Sequence, residues 1–370
     1  MTLLLKAILT LACTAAWAQE AATSDTLVSV IQSAVEVQVV GADVTLFPTP
    51  EKPAVVTVRA RKHTPGPVSL VCGVHLTDAG AGYSASPAAT LAVTGDGEWH
   101  GTALQVFAEA RPQGMITGRL YVRSMATGTD RLRVDKPLRI AHGACSYSRQ
   151  QVVNFASGPR AATVLCLENP RLRAEFIADI GCLYALVPRE TGQDLLVEGD
   201  LPLGLLWSGT GRWFWSKPSV GERAACCEFR TTYKGRVLRF AALLGDDDSA
   251  LRLTLDSGDL DGPPPPLCLI TSRSKSGVDE FALSPGAAQF ETVRDAGLQY
   301  ALPPMEAWSL GLWLAESDRT LTLSCSTSQP LGAVQVRSAG AQYNQVTVVF
   351  SARVPAGIDL LLGCPPGRRL

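Results

Sequence analysis

Leu165-Cys166-Leu167-Glu168-Asn169-Pro170-Arg171-Leu172-Arg173-Ala174-Glu175-Phe176-Ile177-Ala178-Asp179-Ile180-Gly181-Cys182-Leu183, running on to Glu190-Thr191-Gly192-Gln193-Asp194-Leu195-Leu196, is the stretch that decides the fold. It holds strand signals at Thr163 to Glu168, Leu172 to Ile177 and Cys182 to Pro188, and the residues between them have a physical sense. Gly181 permits a close turn between two strands, Thr191-Gly192 closes a hairpin, and Leu195-Leu196 starts the next buried strand.

Toward the C-terminus, strand signals recur at Leu203 to Trp207, Cys226 to Tyr233, Val237 to Leu244, Ser249 to Asp256, Leu267 to Thr271, Ala307 to Leu314, Thr320 to Ser324, Ala333 to Arg337 and Gln345 to Val354. Twelve strands in one span need a large two-sheet sandwich. Gly258 to Pro266, ending in Pro263-Pro264-Pro265-Pro266, reads as a stiff polyproline connection, because proline cannot donate to a ladder. Gly245-Asp246-Asp247-Asp248 reads as a hairpin corner of solvated charge. A calcium site is the alternative use of Asp246, Asp247 and Asp248, and no other metal or cofactor is expected.

Toward the N-terminus, eight short β-branched runs lie between Val35 and Ile140, separated by turns such as Thr64-Pro65-Gly66-Pro67 and Gly95-Asp96-Gly97. The alternation Val68, Leu70, Cys72, Val74, Leu76 sends one apolar face inward. That strand count in about a hundred residues is that of an immunoglobulin-like sandwich. His142 to Gly158 turns polar and Ser/Gln-rich, and marks the boundary.

The first eighteen residues set the expected compartment. Lys6 precedes the apolar run Ala7 to Ala16 and the small-x-small pattern Ala16-Trp17-Ala18, so an export signal cleaved near Ala18 is expected, with a secreted or periplasmic product. No stretch reaches the roughly 20 apolar residues of a membrane helix. The domains expected are therefore 1–18 as signal peptide, 25–142 as the immunoglobulin-like β-sandwich and 160–365 as the larger sandwich. A formal net charge of −1, without a Lys/Arg cluster, excludes the electrostatic footprint of a nucleic-acid binder. Cys72, Cys145, Cys166, Cys182, Cys226, Cys227, Cys268, Cys325 and Cys364 survive cleavage, and two or three disulfides among them are expected in an oxidising compartment.

The quoted stretch resembles the opening of galactose mutarotase-like sandwich domains. Gly181, Thr191-Gly192 and Leu195-Leu196 stand at matching places, with Cys182 where a second glycine is usual, and the likeness covers about Thr163 to Gly363. The resemblance implies a supersandwich whose concave sheet face receives a saccharide. In the epimerases of that superfamily, a histidine acid and a glutamate base act near the ring oxygen. Here His63, His75, His100 and His142 all precede Gly143, so the acid that works best near neutral pH is missing from the second domain.

Two aromatic clusters are the ligand-like features. Arg212, Trp213, Phe214 and Trp215 follow the Gly-rich Ser208-Gly209-Thr210-Gly211, and alternation puts Trp213 and Trp215 on one face and Phe214 on the other. Aromatic rings present faces to sugar C–H groups while Arg and carboxylates take hydroxyls, so Arg212, Trp213, Trp215, Glu306 and Trp308 are the expected ligand-binding residues. Glu306 with Asp179, Glu222 or Glu228 forms the candidate carboxylate pair for glycoside chemistry.

The expected molecule is an all-β, secreted carbohydrate-binding protein without epimerase activity, its partner a saccharide or polysaccharide. The alternatives are a polysaccharide lyase or glycosidase using carboxylates, and an extracellular module whose partner is a protein.

Overall fold

The computed structural model describes residues 27–32, 35–40, 45–63, 66–77, 81–95, 97–109, 114–125, 132–155, 158–196, 204–256, 260–274, 279–284, 289–293, 298–301, 307–325, 331–339, 342–350 and 357–369. The expected signal peptide and Glu306 lie outside them. The chain divides into two compact units, Met1–His142 and Gly143–Leu370. It is all-β, and the one helical turn among the described residues is the 3-10 segment Ala178–Ile180. No helix there is long and apolar enough to cross a membrane.

The first unit is built from two five-stranded sheets enclosing one core. The alternating strand Val68–Leu76 forms with the bounds its sequence sets, burying Leu70 and Cys72 completely. It sits between Ala89–Val93 and Ile116–Ser124. The other sheet centres on Ala54–Lys62, flanked by Val35–Val40 and His100–Ala108.

The second unit has a nine-stranded and a ten-stranded sheet whose inner faces share one core. Leu172–Ile177 and Cys182–Pro188 form as the punctuation requires, with Gly181 at φ 57° between them. Gly192, at φ 69°, bonds back to the Pro188 carbonyl at 2.8 Å and closes the second turn. Leu195 and Leu196 are buried as expected but do not begin a strand. Asp194 explains this. Its Oδ1 accepts from the amides of Leu186 and Leu196 at 3.0 and 3.1 Å, holding the chain in a turn against the preceding strand.

Two expectations need correction. The division between the units falls at the start of His142 to Gly158, but the rest of that segment is no linker: Cys145–Phe155 is a strand paired along its whole length with Gly158–Glu168. As the outer strand of its sheet it alternates mostly exposed and half-exposed positions, so its polar composition suits solvent at a sheet edge. The expected disulfides do not form among the described residues, where all nine cysteines are free thiols. No strand pairing sets one cysteine opposite another: Cys166 faces Glu175 and Tyr147, Cys227 faces Ala242, and Cys325 faces Trp308. Five further strands, Phe214–Trp215, Ser219–Val220, Glu280–Ser284, Glu291–Thr292 and Ile358–Gly363, complete the ten-stranded sheet.

Candidate functional site

Lys234-Gly235 joins strands Ala224–Tyr233 and Arg236–Gly245, and both residues have positive φ, 48° and 76°, as a two-residue type I′ hairpin requires. That turn fixes the register: Tyr233 opposes Arg236, Arg230 opposes Arg239, and Glu228 opposes Ala241. Cys227, Phe229 and Thr231 point into the core, so Glu228, Arg230 and Thr232 face solvent.

The outward row through Arg230 crosses four strands. Phe214, on the edge strand Phe214–Trp215, stands opposite Arg230, and Asp256, on Ala250–Asp256, stands opposite Arg239. In the adjacent row the small Ala241 lies between Glu228 and Thr254 and leaves a hollow. Together these side chains line an open groove of about 870 Å³ that includes Phe214, Trp215, Glu228, Arg230, Arg239 and Asp256. Its size is that of a small-ligand cleft, for which volumes of about 300–1,000 Å³ are usual. Phe214 and Trp215 are 56% and 39% exposed, which is uncommon for rings of this size.

The sequence-derived site residues scatter around this groove. Trp215 lines it. Trp213 does not: it is 2% exposed, its ring packs edge-on against Phe240, and its Nε1–H donates to Thr210 Oγ1 at 3.1 Å. The alternation argument fails there because the strand begins only at Phe214, and Trp213 precedes it in an irregular segment anchored by a bond from its amide to the Asp179 carbonyl. Trp308 is likewise a core ring, 2% exposed. Arg212 is exposed beside Phe214, 5.9 Å from the ring centroid, with Asp179 Oδ1 3.7 Å from its guanidinium. Asp179, on the 3-10 turn, and Glu222, on an exposed turn, do not line the groove. Glu306, the acid expected to pair with one of them, lies outside the described residues.

Asp246, Asp247 and Asp248 occupy the corner of the hairpin after Gly245. Asp246 Oδ1 accepts from the Ala144 amide at 2.7 Å and Asp248 Oδ2 from the Gly245 amide at 3.2 Å. Arg223 and Arg252 share the recess, so the acids serve a turn and an ionic surface. Elsewhere, Asp194 is the carboxyl most displaced, pushed up to about 7 by desolvation and held back by its two backbone amide donors.

Sequence reasoning reached Glu228 only as a carboxylate partner for Glu306 and missed Arg230, Arg239 and Asp256. The signal was present: a two-residue Lys-Gly loop fixes which residues oppose, and counting back from it pairs Arg230 with Arg239.

No family model and no curated protein matches this chain. Solved structures similar to it include a galactose mutarotase-like protein from Lactobacillus casei, at 11% identity and a TM-score of 0.38, covering 55% of this chain and 100% of the other. A candidate aldose 1-epimerase from Escherichia coli K12 is similar at 8% identity and a TM-score of 0.40, covering 60% of this chain and 100% of that one. An uncharacterized Listeria monocytogenes protein solved with α-D-glucose, β-D-glucose, magnesium and calcium is similar at 8% identity and a TM-score of 0.20, over 85% of this chain and 29% of that one. At such scores none of these likenesses assigns a ligand or a reaction to this chain.

Proposed function

We propose that this chain is an exported carbohydrate-binding protein whose second unit is a galactose mutarotase-like sandwich, preceded by an immunoglobulin-like module. The observation that carries the proposal is the open groove in which Phe214 and Trp215 stand exposed beside Glu228, Arg230, Arg239 and Asp256. Exposed rings next to charged groups are what a saccharide uses, its C–H face stacking on the aromatic and its hydroxyls bonding the ions. The motif at Gly181 and Thr191-Gly192, with two large facing sheets, supports the mutarotase-like assignment. Two five-stranded sheets around one core support the immunoglobulin-like one. Export is supported by the apolar run Ala7 to Ala16 and the Ala16-Trp17-Ala18 pattern. Epimerisation is not part of the proposal, because no histidine lines the groove.

The test is a glycan-array measurement on the protein and on Trp215→Ala. The expected result is binding of a restricted set of saccharides that is lost in the variant. Absence of binding, or binding indifferent to Trp215, contradicts the proposal.

A further inference from the structure

We propose that the saccharide taken by this groove is acidic, with a carboxylate or sulfate seated between Arg230 and Arg239; this rests on the carbohydrate-binding proposal and narrows its ligand class. The two arginines are directly opposed on adjacent antiparallel strands and both face solvent. Directly opposed side chains have Cβ atoms about 5 Å apart, and like charges so placed destabilise a sheet. Among the described residues, neither guanidinium is held in an ion pair. An oxyanion bridging them relieves the repulsion and accepts from both in the planar, charge-assisted geometry that arginine provides. A neutral sugar leaves that repulsion in place.

The neighbours argue for a saccharide carrying isolated charges. Glu228 lies two residues before Arg230 on the same face, and Asp256 stands beyond Arg239. These acids flank the cationic centre and repel a sugar residue that carries more than one charge, while they accept hydroxyl donors. Phe214, opposite Arg230, supplies the apolar face. One anionic group per sugar residue, bordered by hydroxyls and a C–H surface, fits this order of side chains.

The probes are oligogalacturonate, the same oligomer as its neutral methyl ester, and a chondroitin sulfate oligosaccharide, titrated calorimetrically into the protein and into Arg230→Gln, Arg239→Gln, Arg230→Lys and Trp215→Ala. The proposal expects an acidic probe to bind at least ~10-fold more tightly than the neutral ester, as for a hydrogen bond to a charged group. It expects that preference to shrink with added salt, to vanish in either Gln variant, and to survive in part in Arg230→Lys. The carboxylated and sulfated probes show which oxyanion is preferred. Without ligand, Arg230→Gln should melt no lower than the parent, which separates a binding role from a structural one. Equal affinity for the acid and its ester, or an unchanged preference in the Gln variants, overturns the acidic assignment while Trp215-dependent binding still upholds the carbohydrate proposal. No saccharide binding at all overturns both.

Discussion

The indole of Trp213 lies against the backbone of Gly181: a Cβ placed on Gly181 would stand 2.8 Å from the ring's Cγ and Cδ2. The ring occupies space that only a missing side chain leaves, and the positive φ of Gly181 suits that residue for a second reason. Both residues thus brace the turn behind the edge strand Phe214–Trp215.

Gly181→Ala should therefore destabilise the second unit by about 1–3 kcal/mol, combining left-handed strain with the clash. Trp213→Ala should cost about 3–5 kcal/mol, as for large core rings. Urea unfolding measures both. A Trp213→Ala protein of parental stability would show that the ring is not the core element described.

Phe214→Ala and Trp215→Ala have the opposite profile. Exposed on a two-residue edge strand, these rings should change stability by no more than about 0.5 kcal/mol, as surface substitutions do. Saccharide affinity should fall in each. Calorimetry alongside thermal melting separates the two effects, and loss of folding without loss of affinity would reverse the assignment.

Stability should depend on pH through Asp194. Its pKa is raised in the fold to about 7, well above the usual carboxylate range, so the native state holds the proton over a range where the unfolded state has released it. Stability from this group is accordingly full in acid and lost as pH rises through that range to about 7. Asp194→Asn keeps an Oδ1 acceptor for Leu186 and Leu196 and cannot titrate. Urea midpoints at about pH 5 and about pH 8 should differ less in the variant than in the parent. An equal difference would remove Asp194 as the cause.

Thiol chemistry should be selective. Burial pushes Cys166 and Cys182 up to about 12 and Cys72 and Cys364 up to about 11, so their reactive thiolates are scarce. Cys226 is the described cysteine that keeps partial exposure. A thiol reagent applied to native protein should label Cys226 first, with the others following only on unfolding. Early labelling of Cys166 or Cys182, read by peptide mass mapping, would contradict their burial.

Much of the fold was legible because its strands are written in period two and punctuated by glycine. Val68–Leu76, Leu172–Ile177 and Cys182–Pro188 have the bounds their sequences indicate. Cys145–Phe155 was hidden by its own chemistry, since an outer strand bathed in solvent carries the polar residues of a loop. The site was less legible. Aromatic clustering led to Trp213 and Trp308, which are core rings, because a tryptophan's sequence neighbours do not reveal which side of the sheet it faces. Among the expected ligand-binding residues that the structure describes, Trp215 is the one that lines the groove. Arg230 and Arg239 lie on strands that looked ordinary until paired, and that pairing depends on the Lys234-Gly235 turn.

The most direct test of the groove as a sugar site follows the indole N–H resonances of ¹⁵N-tryptophan-labelled protein during titration with a saccharide that the array selects. The Trp215 resonance should shift with saturable dependence on sugar while those of Trp213 and Trp308, closed inside the core, stay in place. Movement of Trp213 or Trp308 with Trp215 unmoved would contradict it.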